Sequence, residues 1–328
     1  MSNAEAAKTD VVCAGVVVAD HLSTPIDHVP APGELVMADD LILEIGGCAS
    51  NVAVDLAKLG VSCQVTGCVG SDVFGRYVAE TLRARGVDTQ YLTACPDRPT
   101  SQTLIVNVKG EDRRFIHCFG ANAEFGTEHI PLQAVQQAKV LYVGGYLILP
   151  RLIGPDLARL FEQARASNTV TVLDIVVPAS DEPRRDLLER DLLPVLPHTD
   201  VFLPNTDEAR LLTGIANPLE QAEFFRSKGA RTVVVTLGGE GAVLVSDNVR
   251  LRAGVFPVEF VDGTGAGDAF DAGYIAGILQ GKDERGCLEI ASALGASCVR
   301  AVGTTPGVFT REECDRFLAE HRLPIEEL

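Results

Sequence analysis

Along most of its length this chain alternates short β-branched apolar runs with amphipathic helical segments, and that alternation restricts it to very few architectures. The first run, Val11 to Val18, is almost continuous in β-branched and small apolar residues, as expected of a strand buried on both faces. A helical pattern over Ala49 to Leu59 puts Val52, Leu56 and Leu59 on one face, and Gly60 closes it. The same reading predicts strands at Cys63–Val69, Val140–Val143, Val170–Leu173, Val201–Leu203, Thr232–Thr236 and Ala242–Val245. Helices are expected at Val73–Arg85, Gly154–Ala166, Glu208–Leu212 and Leu219–Lys228. Such an order argues for an α/β fold, a mostly parallel sheet with helices on both faces. The last third turns helical, with Gly267–Gln280, Glu284–Arg300 and Glu312–Glu320 in succession. Extended segments at Leu35–Ile45, Thr103–Val108 and Arg113–Phe119, with a turn at Lys109–Asp112, predict a small β flap spanning about 34–46 and 100–120. No repeat or linker divides the chain, so residues 10–328 read as one domain behind a disordered leader, 1–9.

The 328 residues are 46% hydrophobic, enough for a large core, and carry 28 basic against 45 acidic residues, a formal charge of −17. Without a basic stripe, nucleic acid is excluded as an expected partner. A polyanionic ligand would have to be held by local devices: backbone amides, a helix N-terminus, a metal ion. The nine cysteines are scattered and include no C-x-x-C pair, which fits core packing in a reducing cytoplasm better than a zinc cage. No run of eighteen apolar residues suggests a membrane span, and the polar start does not resemble a signal peptide.

The densest chemical signal is Asp262-Gly263-Thr264-Gly265-Ala266-Gly267-Asp268, placed between an expected extended segment (Val255 to Val261) and a long apolar helix. Strand, glycine turn and helix make an anion site, because small residues expose amides that add to the positive end of the helix dipole. Asp268 there is either a helix cap or a base that takes a proton from an attacking hydroxyl. Gly46-Gly47 before Asn51 reads either as a ligand-facing turn or as a tight strand-to-helix turn capped by Ser50 or Asn51. Asp20 is expected at the carboxyl end of the first strand, where open α/β sheets bind ligands. Asn205 and Glu208 form either a capping box or a magnesium and phosphate motif. Thr236, Gly238 and Gly241 belong to a hairpin turn or a nucleotide cradle. No histidine falls in a hydrolase signature, and G-x-S-x-G is absent.

Taken in order, Gly46-Gly47 with Asn51, Asn205-x-x-Glu208, Thr236-Leu237-Gly238 and the Asp262 to Asp268 segment resemble the ribokinase-like (PfkB) family of sugar kinases. The resemblance implies a three-layer α/β/α ribokinase-like fold with a small β-sheet lid, use of ATP and Mg2+, and transfer of a phosphoryl group to a hydroxyl of a small sugar-like acceptor. A nucleoside kinase, or a regulator that binds without turnover, are its alternatives. It implies Asp268 as base, Gly265, Ala266 and Gly267 as the anion hole, and Asp20, Gly46, Gly47 and Asn51 as acceptor-binding positions. Asn205, Glu208, Thr236, Gly238 and Gly241 take the cofactor-binding roles. A potassium site would use Asp262 and the carbonyls of Thr264, Val299, Ala301 and Gly303, although Gly307 and Gly263 depart from the family pattern there. Pairing of two lids into a homodimer is also implied. Val18 and Tyr146 replace the asparagine and glutamate that ribokinase offers to ribose. Ribose hydroxyls left unpaired cost about 1 to 3 kcal/mol each, so ribose is expected to be a poor acceptor.

Overall fold

The computed structural model describes residues 9–111, 114–178, 180 and 182–328. The expected leader lies outside these residues except for Thr9, as do Asp112 of the flap turn and Arg113 of the segment after it. Ten strands form the main sheet: β1 (Val11–Gly15), β4 (Cys63–Gly70), β5 (Asp88–Cys95), β8 (Val140–Tyr146), β9 (Val170–Ile175), β10 (Val201–Phe202), β11 (Thr232–Thr236), β12 (Ala242–Ser246), β13 (Arg250–Ala253) and β14 (Ile325–Glu327). Their spatial order is β14-β13-β12-β11-β10-β9-β8-β1-β4-β5. Every pairing from β11 through to β5 is parallel, and β12, β13 and β14 extend the sheet antiparallel.

The helices are α1 (Cys48–Lys58), α2 (Val73–Ala84), α3 (Leu132–Gln137), α4 (Gly154–Ala166), the one-turn α5 (Arg185–Leu187) and α6 (Leu193–Val195), α7 (Thr206–Thr213), α8 (Pro218–Ser227), α9 (Ala266–Leu279), α10 (Glu284–Cys298) and α11 (Arg311–Glu320). They cover both faces of the sheet and enclose two cores. Strand periodicity sorts residues between them: in β1, Val11 and Cys13 join the core under α1, α9 and α10, whereas Val12 and Ala14 join the one under α4 and α8.

The flap is a four-stranded sheet of β2 (Val18–Ser23), β3 (Leu41–Gly46), β6 (Gln102–Val106) and β7 (Arg114–Cys118), ordered β3-β2-β6-β7. Its second strand corrects the sequence reading. The run Val11 to Val18 is not one strand: it ends at Gly15, and the chain passes into the lid as β2. At the crossing, the buried Asn122 side chain bonds both the amide and the carbonyl of Val17, replacing ladder partners. Asp20 therefore sits in the lid and not at the end of a central strand. Residues 35–40 form no strand, and Leu35 and Met37 are 84% and 78% exposed, without the neighbours a ladder would give them. The expected extended segment Val255 to Val261 also pairs with no strand. It contains Pro257, which lacks an amide, and runs along a cleft instead.

Candidate active site

The carboxyl ends of the parallel strands, the N-terminus of α9 and the lid converge on one place. Helix α9 starts from Gly265, whose backbone is left-handed at φ 79; a Cβ there would lie 2.5 Å from the Thr304 carbonyl oxygen. Asp268 is the third residue of the helix and caps nothing, so the capping alternative is excluded. The amides of Gly265, Gly267 and Asp268 donate to no acceptor among the described residues, while that of Ala266 closes a turn onto Gly263 at 3.3 Å. Gly267 is exposed and faces open space, leaving the amides accessible. The result is a cradle of amide dipoles with a carboxylate at its mouth.

Helix α1 supplies the partner of that carboxylate. It is capped by Gly47 with φ 89, not by Ser50 or Asn51, so Asn51 lies one turn in and is almost fully buried. Its Nδ2 donates to Asp268 Oδ2 at 2.8 Å. The two glycines answer different demands. A Cβ on Gly46 would overlap the Asp20 carboxylate, and one on Gly47 would lie 2.5 Å from the Val16 carbonyl. The Gly-Gly pair thereby lets the lid carboxylate and the start of α1 approach each other closely.

Electrostatics set this place apart. Burial raises Asp268 above the usual carboxylate range, an effect that the bonds from Asn51 and Cys48 oppose. Asp20, 7% exposed, is pushed up to about 6 by burial; Thr103 offsets this in part, and the charges of Asp268 and Glu44 add to it. Glu208 rises to about 7, again chiefly through burial. Three further groups escaped the sequence reading: Cys48, Asp174 and Asp271. The Cys48 thiol and the Asp174 and Asp268 carboxylates present ligand atoms all within 4.8 Å of one another. Asp271, one turn beyond Asp268, accepts a 3.0 Å bond from the Tyr142 hydroxyl. Burial drives Asp174 and Asp271 well upward. Asp174 had a usable signal, since a carboxylate closes the apolar run Val170 to Leu173 at the carboxyl end of its strand.

A cleft of about 420 Å³ opens beside the cradle. Thr236, Gly238 and Gly241 line it, with the 254–260 segment, Gly263, Ala266 and Gly267. Asn205 and Glu208 form the capping box of α7, Asn205 Oδ1 accepting from the amides of Asp207 and Glu208, and Glu208 Oε2 from that of Asn205. A bridge from Asn205 to Thr236 brings the pair to the cleft's edge. A roomier cleft of about 980 Å³ lies at the amino ends of β9, β10 and β11, away from all of these groups. In parallel sheets the chemistry belongs at the carboxyl ends, so we assign it no role.

Around Asp262, Oδ1 accepts from the Thr264 amide and hydroxyl and Oδ2 from the Gly303 amide. The Val299 carbonyl accepts the amides of Val261 and Asp262, so its lone pairs are taken. Tyr146, read as facing an acceptor, is fully buried and donates its hydroxyl to the Asp191 carbonyl, on the far side of the sheet from α1.

Residues 8–311 match the family model described as pfkB family carbohydrate kinase. The chain belongs to the pfkB family. Among similar proteins, ribokinase of Haemophilus influenzae is 29% identical over 94% of this pfkB chain and 97% of its own length. The 2-dehydro-3-deoxygluconokinase of Bacillus subtilis is also 29% identical, over 85% and 87% respectively. Arabidopsis thaliana ribokinase complexed with ribose and ATP shares the fold, with a TM-score of 0.79, 24% identity and coverage of 94% and 98%. The three-layer architecture with its small lid sheet is thus that of ribokinase-like proteins.

Proposed function

We propose that this pfkB-family chain is an ATP-dependent kinase that transfers the γ-phosphoryl group to a hydroxyl of a small sugar or sugar derivative. The observation that carries the reading is Asp268 at the mouth of the unpartnered amides, held by Asn51. The Asp268 carboxylate accepts the acceptor hydroxyl's proton. A bond forms from that oxygen to the γ-phosphorus while the bond to the bridging oxygen breaks, releasing ADP. The amides of Gly265 and Gly267, with Ala266 shaping the turn, hold the charge that spreads over the phosphoryl oxygens. The nucleotide lies in the 420 Å³ cleft against Thr236, Gly238 and Gly241. Asn205 and Glu208, with Asp174, offer hard oxygen donors suited to magnesium, which when bound supplies positive charge against the polyphosphate.

The acceptor is placed under the lid against Asp20, Gly46, Gly47 and Asn51. Asp262 and the carbonyls of Thr264, Ala301 and Gly303 are the donors proposed for potassium; Val299, with its carbonyl occupied, is the poorest member of that set. Leu41, Leu104 and Ile116 share the outer face of the lid and are 76%, 43% and 67% exposed, a surface suited to pairing with a second lid in a homodimer. No helix among the described residues is long and apolar enough to cross a membrane, and cytoplasmic action fits the use of ATP and nine free cysteines. Residues 10–328 act as one kinase unit, with the lid as its appendage. An ADP-release assay across neutral sugars and nucleosides tests the proposal: turnover with at least one acceptor supports it. ATP binding without turnover of any acceptor would instead mark a binding-only regulator.

A further inference from the structure

We infer that the acceptor carries no negative charge: a neutral polyol or nucleoside suits this site, and a sugar acid or sugar phosphate does not. The inference rests on the kinase reading above and narrows its substrate class. Asp20 and Asp268 border the acceptor's proposed place, and Asp174 and Asp271 lie beside Asp268. None of the four is ion-paired with a lysine or arginine among the described residues.

The cations nearby are already engaged. Arg85 forks onto both oxygens of Glu44, at 2.7 and 2.8 Å, and reaches the Thr305 hydroxyl. Lys58 donates to the carbonyls of Thr305, Pro306 and Val308 and sits beside Asp55, a buried carboxylate with neither oxygen bonded. His21 is bonded to Gln102, and His117 to Thr103. In register across the lid run Glu44, Asp20, Thr103 and His117, a row that offers hydroxyl partners and no free positive charge. A carboxylate or phosphate brought here would meet the carboxylates of Asp20 and Asp268 in a poorly screened place and find no free cation among the described residues. The same residues favour hydroxyls, which donate to carboxylates.

The test compares kcat/KM for neutral pentoses, hexoses and nucleosides with that for 2-dehydro-3-deoxygluconate and fructose 6-phosphate, using wild type and Asp20→Asn. The best neutral acceptor should exceed either anion by about 100-fold or more, and Asp20→Asn should shrink that ratio by about tenfold. A purely structural role for Asp20 would depress both classes equally and leave the ratio unchanged. An anion as the best acceptor, or the two classes within tenfold of each other, would overturn the inference while leaving the kinase reading intact. Absence of turnover with every acceptor would instead remove the kinase reading, and this inference with it.

Discussion

The two sheets of this molecule obey different constraints. In the main sheet, β4 and β8 are buried along their whole length, and each residue is fixed by which of two cores it fills. In the lid, β7 is exposed at every position and β3 is buried only where it meets the site at Ile45 and Gly46. Folding alone accounts for the main sheet. It does not account for apolar residues facing water on the lid, nor for a carboxylate sealed beneath it; these answer to what the lid meets outside and what it covers inside. The main sheet is a platform that holds Asp268, and the lid is a working surface.

Four experiments sharpen or break that contrast. Gly265→Ala strikes the platform: the left-handed backbone and the approach to Thr304 force the cradle open, and kcat should fall by about 10²- to 10³-fold, the loss typical of one oxyanion donor. Unchanged kcat in a folded variant would remove the cradle from the mechanism. Leu41→Asp with Ile116→Asp strikes the lid's outer face. Sedimentation should then show monomers, association weakening by about 100-fold, with the thermal transition of the main sheet little changed. Wild type sedimenting as a monomer would end the dimer proposal.

Asp20→Asn strikes the inner face. The acceptor KM should rise by about tenfold, roughly one charge-assisted hydrogen bond, with kcat less affected. Because folding raises the Asp20 pKa to about 6, its favourable contribution to stability is full below the unfolded value and is lost as pH rises through 6. The variant should therefore melt higher than wild type at pH 8 and no higher at pH 3.5. In wild type, the acceptor KM should climb as pH drops through about 6, where Asp20 takes up its proton. The smallest effect is expected from exchanging potassium for sodium, a few-fold loss of kcat. Full activity in either salt would discard the monovalent-cation set.

Much of the platform was legible in the sequence because its strands are apolar runs and helices such as α1, α2 and α7 are followed by glycine. Helix Gly154–Ala166 and strand Thr232–Thr236 lie at the expected residues. The edge strands β5 and β14, and β13 beside β14, escaped: half-exposed and rich in polar residues, they lack the pattern that burial imposes. Asp20 was marked for attention but wrongly placed, since a run of valines cannot reveal that a side chain from Asn122 interrupts it. The glycine motifs were visible, and at Gly46, Gly47, Gly241 and Gly265 a close approach requires the glycine. Cys48 and Asp271 were passed over, as was the signal at Asp174, because nothing in local spacing reports that α1 and β9 meet α9 at Asp268.

The most direct measurement follows ATP affinity and single-turnover phosphoryl transfer together in wild type and Asp268→Asn. With Asp268 as base, ATP binding should hold within a few-fold while transfer slows by about 10²- to 10⁴-fold. Transfer at close to the wild-type rate in the variant would contradict the assignment, and with it the account of how this chain moves a phosphoryl group.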